Sequence, residues 1–266
     1  MHIVVCMKQV IDPEVPPHLF QIDPVEKKQI RGRQPLVISD YDEVAVEIAL
    51  QLKEKTDGKV TVVTIGDQES DESLHQALAM GADEAIRVTD PAFETADAFG
   101  KAHILAAALR QVGEFDAVLC GRQAGDVELG LVGPFLAEAL DLPCATLIAN
   151  VDPTDGTARL KCPTETGYDI LEAPLPFVAT VTNDESNVPR YASVRGIMRA
   201  RKAKIPVWSI TDLGLEASQV SPEAAMIQLD GLFIPKREMV CEIITGETSA
   251  EKAQNLVLRL KEEQLI

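Results

Sequence analysis

The segment GRQAGDVELGLVGPFLAEAL, residues 121–140, has the make-up of an anion cradle. It follows the apolar run FDAVLC, carries glycines at 121, 125, 130 and 133, and leads through Pro134 into an apolar, helix-like stretch. A strand that breaks into a glycine-rich loop and then a helix offers free backbone N–H groups and a positive dipole end to a phosphate. Yet the loop holds no lysine, serine or threonine, and it carries two acids, Asp126 and Glu128. It therefore lacks the lysine and hydroxyl of a Walker-type phosphate loop.

Two further stretches could do chemistry. In SDYDE, residues 39–43, Ser39 and Asp42 occupy the S-x-x-D places of a capping box ahead of a helical pattern. The same helix start could face a ligand, and its acids suit a ribose or base better than a phosphate. RYASVRGIMRARKAK, residues 190–204, holds six basic residues and no acid in a strongly acidic chain. If it is helical from Val194, then Arg195, Arg199 and Lys202 share a face, with Val194 and Met198 as an apolar stripe beside them. That pattern fits a solvated basic face, and it equally fits a transient docking surface with an apolar anchor.

Side chains for bond-breaking chemistry do not assemble in the sequence. Histidines 2, 18, 75 and 103 are scattered, with no metal-ligand spacing. No G-x-S-x-G, S-x-x-K or Cys–His arrangement appears, so the sequence assigns neither a catalytic residue nor a metal ligand.

The elements that would position these stretches alternate. HIVVCMKQV, KVTVVTIG, EAIRVTD, FDAVLCG and CATLIANVD read as strands. Helical spacing places Ala45, Ile48, Ala49 and Leu52 on one face, then Leu74, Ala77 and Leu78 behind Ser70 as N-cap, with Gly81 closing that helix. Phe99, Ala102, Leu105, Leu109 and Val112 follow on a third helix, and a fourth starts at Pro134. This order predicts an α/β fold, a mainly parallel sheet with helices on both faces. Ligands in such sheets bind beyond the carboxyl ends of strands, where Gly66 and Gly121 fall. After residue 150 the pattern becomes antiparallel strands and then a proline-punctuated stretch. SAEKAQNLVLRLKEEQLI closes the chain as an amphipathic helix, with Ser249 as N-cap and Ala253, Leu256, Val257 and Leu260 inward.

Composition narrows the function classes. With 266 residues and 46% apolar content, the chain has enough material for a large core. A net charge of −17 argues against general nucleic-acid binding, which needs Lys and Arg against phosphate; it fits plain solubility and equally a surface that meets positive protein partners. No apolar run reaches the ~20 residues of a membrane span. The start MHIVVCMKQV lacks a basic n-region and a cleavage site. Five cysteines without a C-x-x-C pair fit a reducing compartment, so a cytoplasmic location without membrane insertion is expected.

Five motifs in order, IVVCMKQVID, EVAVEIALQLKEK, ALAMGADEAIRV, CGRQAGD…VGPFLAEALDLP and PRYASVRGIMRARK, resemble the small (beta) subunit of electron-transferring flavoproteins along nearly the whole chain. The resemblance implies a Rossmann-like three-layer αβα domain of the adenine-nucleotide-binding type over residues 1–205, with a recognition loop at 184–204. Residues 206–266 would form a C-terminal extension and a helix packing on a larger alpha subunit. That alpha subunit would share the redox-active FAD of a heterodimer. The complex would take electrons from flavin dehydrogenases such as acyl-CoA dehydrogenases, as in fatty acid beta-oxidation, and pass them to a quinone oxidoreductase. The chain itself would be an electron carrier rather than an enzyme. It would bury AMP, or a second FAD in the electron-bifurcating members.

Carried over by position, the resemblance puts the nucleotide against Cys6, against Ser39, Asp40, Tyr41 and Asp42, and against Ile65 and Gly66. It adds the loop Gln123, Ala124, Gly125, Asp126, Val127, Glu128, Leu129, Gly130, Leu131, Val132 and Gly133. Val194 takes the anchor position of the docking segment, followed by Arg195, Ile197, Met198, Arg199 and Lys202. Tyr41 falls where the family has an aromatic residue near the alpha-subunit flavin, and Pro13 where some members carry another. Several positions depart from the family pattern. Ser39-Asp40 stands for Asn-Pro, Gly125 for isoleucine, Val127 for Gly or Asp, and Cys162 for a basic residue. Leu129, Gly130 and Leu131 replace a polar triplet. Loss of one charge-assisted hydrogen bond at Leu131 would cost roughly 1.5–3 kcal/mol, leaving backbone N–H groups and the helix start at Pro134 to hold phosphates. A free-standing ATP-binding module of the universal-stress type is the alternative, although the G-x-x-G-x9-G-S/T spacing of that class is broken at Ala124 and at Val132-Gly133.

Overall fold

His2–Cys6 (β1) lies at the centre of the molecule, because Ile3, Val4, Val5 and Cys6 are all buried and no edge of the strand meets water. The computed structural model describes residues 1–235 and 241–266. Gln9–Ile11 (β2), Gln21–Asp23 (β3), Lys28–Ile30 (β4) and Leu36–Ile38 (β5) form two small antiparallel pairs, β2 with β5 and β3 with β4. Helix Asp40–Thr56 (α1) leads to Lys59–Ile65 (β6), then Ser70–Met80 (α2), Glu84–Val88 (β7) and Ala98–Val112 (α3). Ala117–Gly121 (β8) precedes the glycine loop, followed by Val132–Leu140 (α4) and Cys144–Ile148 (β9). Asn150–Thr154 (β10), Thr157–Thr164 (β11) and Gly167–Pro174 (β12) make a separate three-stranded antiparallel sheet. Phe177–Val181 (β13), Val194–Ala200 (α5), Val207–Trp208 (β14) and Ser249–Glu262 (α6) complete the order.

The main sheet has seven parallel strands in the order β14-β7-β6-β1-β8-β13-β9. Side chains alternate across it. Ile3 and Val5 face a core built with α1 and α2, while Val4 and Cys6 face one built with α3 and α4. Both faces are covered, which is why these strands read as unbroken apolar runs. Ile48, Leu52 and Leu74 are fully buried; each such side chain contributes about 1.5–3 kcal/mol of transfer free energy. The chain runs from β1 outward to β6 and β7, then returns to β8 on the other side of β1. The crevice between the carboxyl ends of β1 and β8 is thus the topological switch point of the sheet.

The three-layer α/β architecture with a parallel sheet matches the sequence reading, and several local details differ. Ser39 is the N-cap of α1 but its hydroxyl makes no cap; it accepts from the Gly125 N–H instead. Ser70 is the first residue of α2, one place inside the cap at Glu69, and Gly81 closes that helix as expected. Helix α4 starts at Val132, two residues before Pro134. Thr248 rather than Ser249 caps α6, its hydroxyl accepting from the Glu251 N–H at 3.2 Å. The stripe expected to point inward on α6 does not do so: Ala253, Leu256 and Val257 are exposed, and no residue of that helix is buried. Lys202 lies beyond the end of α5, so it does not share a helical face with Arg195 and Arg199.

Candidate functional site

A cavity of about 370 Å³ opens at the switch point, toward the small end of the ~300–1,000 Å³ range of ligand sites. Its floor is the carboxyl ends of β1 and β8, where Cys6 and Cys120 are register partners. The Cys120 thiol is pushed well above its ordinary value by a hydrogen bond to Cys6 and by burial. The Cys120 sulfur is therefore a protonated, unreactive floor group rather than a nucleophile.

One wall is the glycine loop and the first turn of α4, and the opposite wall is Ile65, Gly66 and Ser70. Helix α4 has no side-chain cap at Leu131, so its first-turn N–H groups are available to an anion. Glu128 and Gly130 both take left-handed backbone conformations, φ 56° and 65°, which turn the loop across the cavity mouth. Asp42, in the first turn of α1, ties the site together. Its carboxylate accepts from the Lys8 N–H at 2.8 Å and the Gly121 N–H at 2.7 Å, joining β1 to β8. Burial pushes that carboxyl up to about 7, against the pull of those two N–H groups and of the Lys8 charge.

The lysines missing from the loop arrive from elsewhere in the chain. Lys8, two residues past β1, and Lys101, in the first turn of α3, both line the cavity, as does Arg122 at the end of β8. Lys8 Nζ reaches across to Asp126 at 2.6 Å. Burial holds the Lys101 ammonium below its ordinary value, with the neighbouring Lys8 charge adding to it. Arg122 sits 5.2 Å from the Tyr41 ring centroid, a cation–π distance. A half-buried cation with a depressed pKa beside a second cation is a place that gains from a bound anion. Sequence spacing missed Lys8 and Lys101 because neither belongs to the loop. The usable signal was the position of each, just past a strand end and one turn into a helix.

The structure brings together Cys6, Asp42, Ile65, Gly66, Gln123, Ala124, Val127, Leu129, Gly130, Leu131, Val132 and Gly133 around one cavity. The others stand outside its lining. Ser39 is fully buried behind the loop, Asp40 is exposed and Tyr41 lies under Arg122. Gly125 is held from behind by Ser39, Asp126 engages Lys8, and Glu128 faces solvent. Among the described residues no group of three or more metal-ligating side chains occurs, and no helix is long and apolar enough to cross a membrane.

The docking segment sits apart, against α2. Val194 and Met198 are exposed, 75% and 61%, with Ile197 at 40%. Arg195 is exposed beside them, whereas Arg199 turns back and donates to the Leu78 carbonyl at 3.2 Å.

Known proteins resemble the chain closely enough to place it. The family model described as the electron transfer flavoprotein domain matches residues 29–213. The chain is 37% identical to the electron transfer flavoprotein subunit beta of Thermoanaerobacterium thermosaccharolyticum, with 100% of both chains covered. It is 38% identical, again over 100% of both, to the caffeyl-CoA reductase-Etf complex subunit CarD of Acetobacterium woodii. The electron transfer flavoprotein subunit beta of Bacillus subtilis is 34% identical over 85% of this chain and 86% of its own. Matches over the full length leave no room for the universal-stress alternative. The chain belongs to the electron transfer flavoprotein family, as a beta subunit.

Proposed function

We propose that this chain forms a heterodimer with a larger alpha-type subunit and holds, shared with it, an FAD that carries electrons between partners. The observation that supports this best is that one chain leaves two apolar surfaces of different character uncovered. The first comprises the exposed Met226, Leu229, Phe233 and Ile234 and, separately, the exposed apolar residues Leu256 and Val257 of α6. Exposed apolar side chains in that number suit a permanent partner. The second is small and set among cations, Val194 and Met198 beside Arg195, and suits a partner that comes and goes. Flavin dehydrogenases such as acyl-CoA dehydrogenases would dock there, with a quinone oxidoreductase as acceptor, in the cytoplasm. The chain acts as a carrier rather than an enzyme. Co-expression with the neighbouring alpha-type subunit should give a yellow 1:1 complex; a colourless monomer that ignores that subunit would sink the reading.

The cavity fits AMP. The α4 start and Lys101 offer donors for one phosphate, and the apolar Val127 and Leu129 suit an adenine face. When bound, the nucleotide supplies structure rather than redox chemistry. Lys101→Met is expected to weaken AMP retention about 10- to 100-fold, the range of one charge-assisted hydrogen bond, read by equilibrium dialysis on the heterodimer. Because Lys101 is held below its ordinary pKa by burial, the nucleotide-free complex should melt at the same temperature or higher in the variant. A second reading places another FAD in this chain, as in bifurcating members. The two lysines that line the cavity, which could share a pyrophosphate, favour it. One flavin per heterodimer after acid release supports AMP, and two support the second reading.

Val194→Ala is expected to raise several-fold the concentration of complex needed for half-maximal reduction by an acyl-CoA dehydrogenase, with flavin content unchanged. Equal values for variant and parent would rule out anchoring by Val194.

A further inference from the structure

Segment 188–200 presents apolar side chains to water while its inner side is pinned by polar contacts. Val188, Tyr191, Val194 and Met198 all stand out from the surface, Tyr191 fully so. Beneath them, Arg190 forks onto α1. Its Nε donates to Glu47 Oε2 at 2.8 Å and its Nη2 to Glu47 Oε1 at 3.0 Å, and its own backbone N–H donates to Glu47 Oε2 at 3.1 Å. Two turns along α1, Glu54 accepts from Nη1 and, at 3.3 Å, from Nη2. Glu47 is only 4% exposed, and its other neighbour is the Gln51 amide, which donates at 3.0 Å.

The charges answer one another. Hydrogen bonds donated to Glu47 and then Glu54 hold the Arg190 guanidinium above its ordinary value, and Arg190 holds the Glu54 carboxyl below its own. A bidentate arginine on a buried carboxylate fixes orientation as well as distance, which a lysine cannot reproduce. Secondary contacts agree with that direction. The Ser193 hydroxyl caps α5 by accepting from the Gly196 N–H at 3.0 Å. Gly196 lies so close to the Ala79 carbonyl that no Cβ fits between them.

Unrestrained, a segment with this many apolar side chains would lower its free energy by turning some of them inward. Held outward and in one geometry, they offer a partner a surface whose ordering cost is already met, which raises affinity without adding a contact.

We propose that Arg190 is a positioning residue for docking: its clamp on Glu47 and Glu54 holds Tyr191, Val194 and Met198 as one rigid apolar surface. The surface fits an apolar pocket with an acidic rim on the partner dehydrogenase, the rim answering the exposed Arg195, Arg201 and Lys202. This rests on the reading that the segment docks a dehydrogenase.

The test uses the heterodimer carrying Arg190→Lys or Arg190→Ala. Three quantities are compared with the parent: flavin content, amide hydrogen exchange over 188–200, and the steady-state constants for reduction by an acyl-CoA dehydrogenase. Flavin content should be unchanged. Exchange in the segment should quicken about tenfold or more in Arg190→Ala and less in Arg190→Lys. KM for the complex should rise roughly tenfold in Arg190→Ala while kcat changes little, because the loss is in association geometry. Unaltered exchange protection in both variants would overturn the clamp. Faster exchange with an unaltered KM would overturn the positioning role, and a Val194→Ala variant that is also unaltered would then locate the failure in the docking reading itself. If Arg190→Ala does not assemble, Arg190→Lys and Glu54→Gln carry the same comparison.

Discussion

Gly121→Ala should melt about 5–15 °C below the parent and lose most of the nucleotide proposed for the switch-point cavity. Gly121 ends β8 at the point where the first turn of α1 crosses it. A Cβ there would stand 2.9 Å from the Asp42 N and the Tyr41 carbonyl carbon, and closer still to the Asp42 carboxylate. Backbone cannot yield as a side-chain tip can, so the methyl would push α1 away from β8. Overpacking of this kind typically costs ~1–3 kcal/mol. Parting the Asp42 carboxylate from the Gly121 N–H, 2.7 Å apart in the parent, adds an unpaired buried donor worth ~1–3 kcal/mol. For a domain of this size each kcal/mol moves the melting point by roughly 2–4 °C. The same displacement carries away the loop that begins at Arg122, hence the loss of nucleotide. Thermal melting and chromatography of the released nucleotide check both parts. A variant that melts with the parent and keeps its nucleotide would show that α1 and β8 are not in contact as described.

The layered fold was legible because each element obeys one period. Val4 and Val5, Val62 and Val63, and Val118 and Leu119 sit in strands covered on both faces, so the sequence shows apolar runs with no alternation. Ala45, Ile48, Ala49 and Leu52 repeat at helical spacing because α1 offers only one face to the sheet. Gly66 and Gly121 were legible because ligands in parallel sheets sit beyond the carboxyl ends of strands, and both line the cavity.

What stayed hidden is long-range. Ser39 and Asp42 have the spacing of a cap, and a local rule can assign them only to their own helix. In the fold their oxygens serve partners 86, 34 and 79 residues away, at Gly125, Lys8 and Gly121. Lys8 and Lys101 look like ordinary surface lysines until the crevice brings them together. The stripe on α6 was read correctly as apolar, but periodicity cannot say whether a face meets its own chain or another one. Arg190 is one of six bases spread over residues 190–204, and only the geometry sets it apart from Arg195.

Asp42→Asn should remove a pH dependence of stability that the parent shows between about pH 4 and pH 7. Burial raises the Asp42 carboxyl to about 7 in the folded chain, whereas an unfolded aspartate titrates near ~3.9. Between those values the folded state holds a proton that the unfolded state has released. Stability therefore falls as pH rises through this window and levels off above about 7. Taken at face value, a difference of roughly three pH units corresponds to about 4 kcal/mol. Polar neighbours and water in the open cavity reduce that figure, so a loss of about 2–4 kcal/mol from pH 4 to 7 is expected. Many other carboxylates change charge over the same range in a chain of net charge −17, so the parent curve alone is not diagnostic. The difference between parent and variant isolates Asp42. Asparagine keeps one oxygen to accept from Lys8 or Gly121, so the variant should fold, and at pH 7.5 it should match or exceed the parent in melting temperature. Its advantage should shrink as the pH is lowered toward 5, because the parent carboxyl then takes up its proton. Parallel melting curves for the two proteins across pH 5–8 would mean that Asp42 stays ionised throughout, with its two backbone donors outweighing burial.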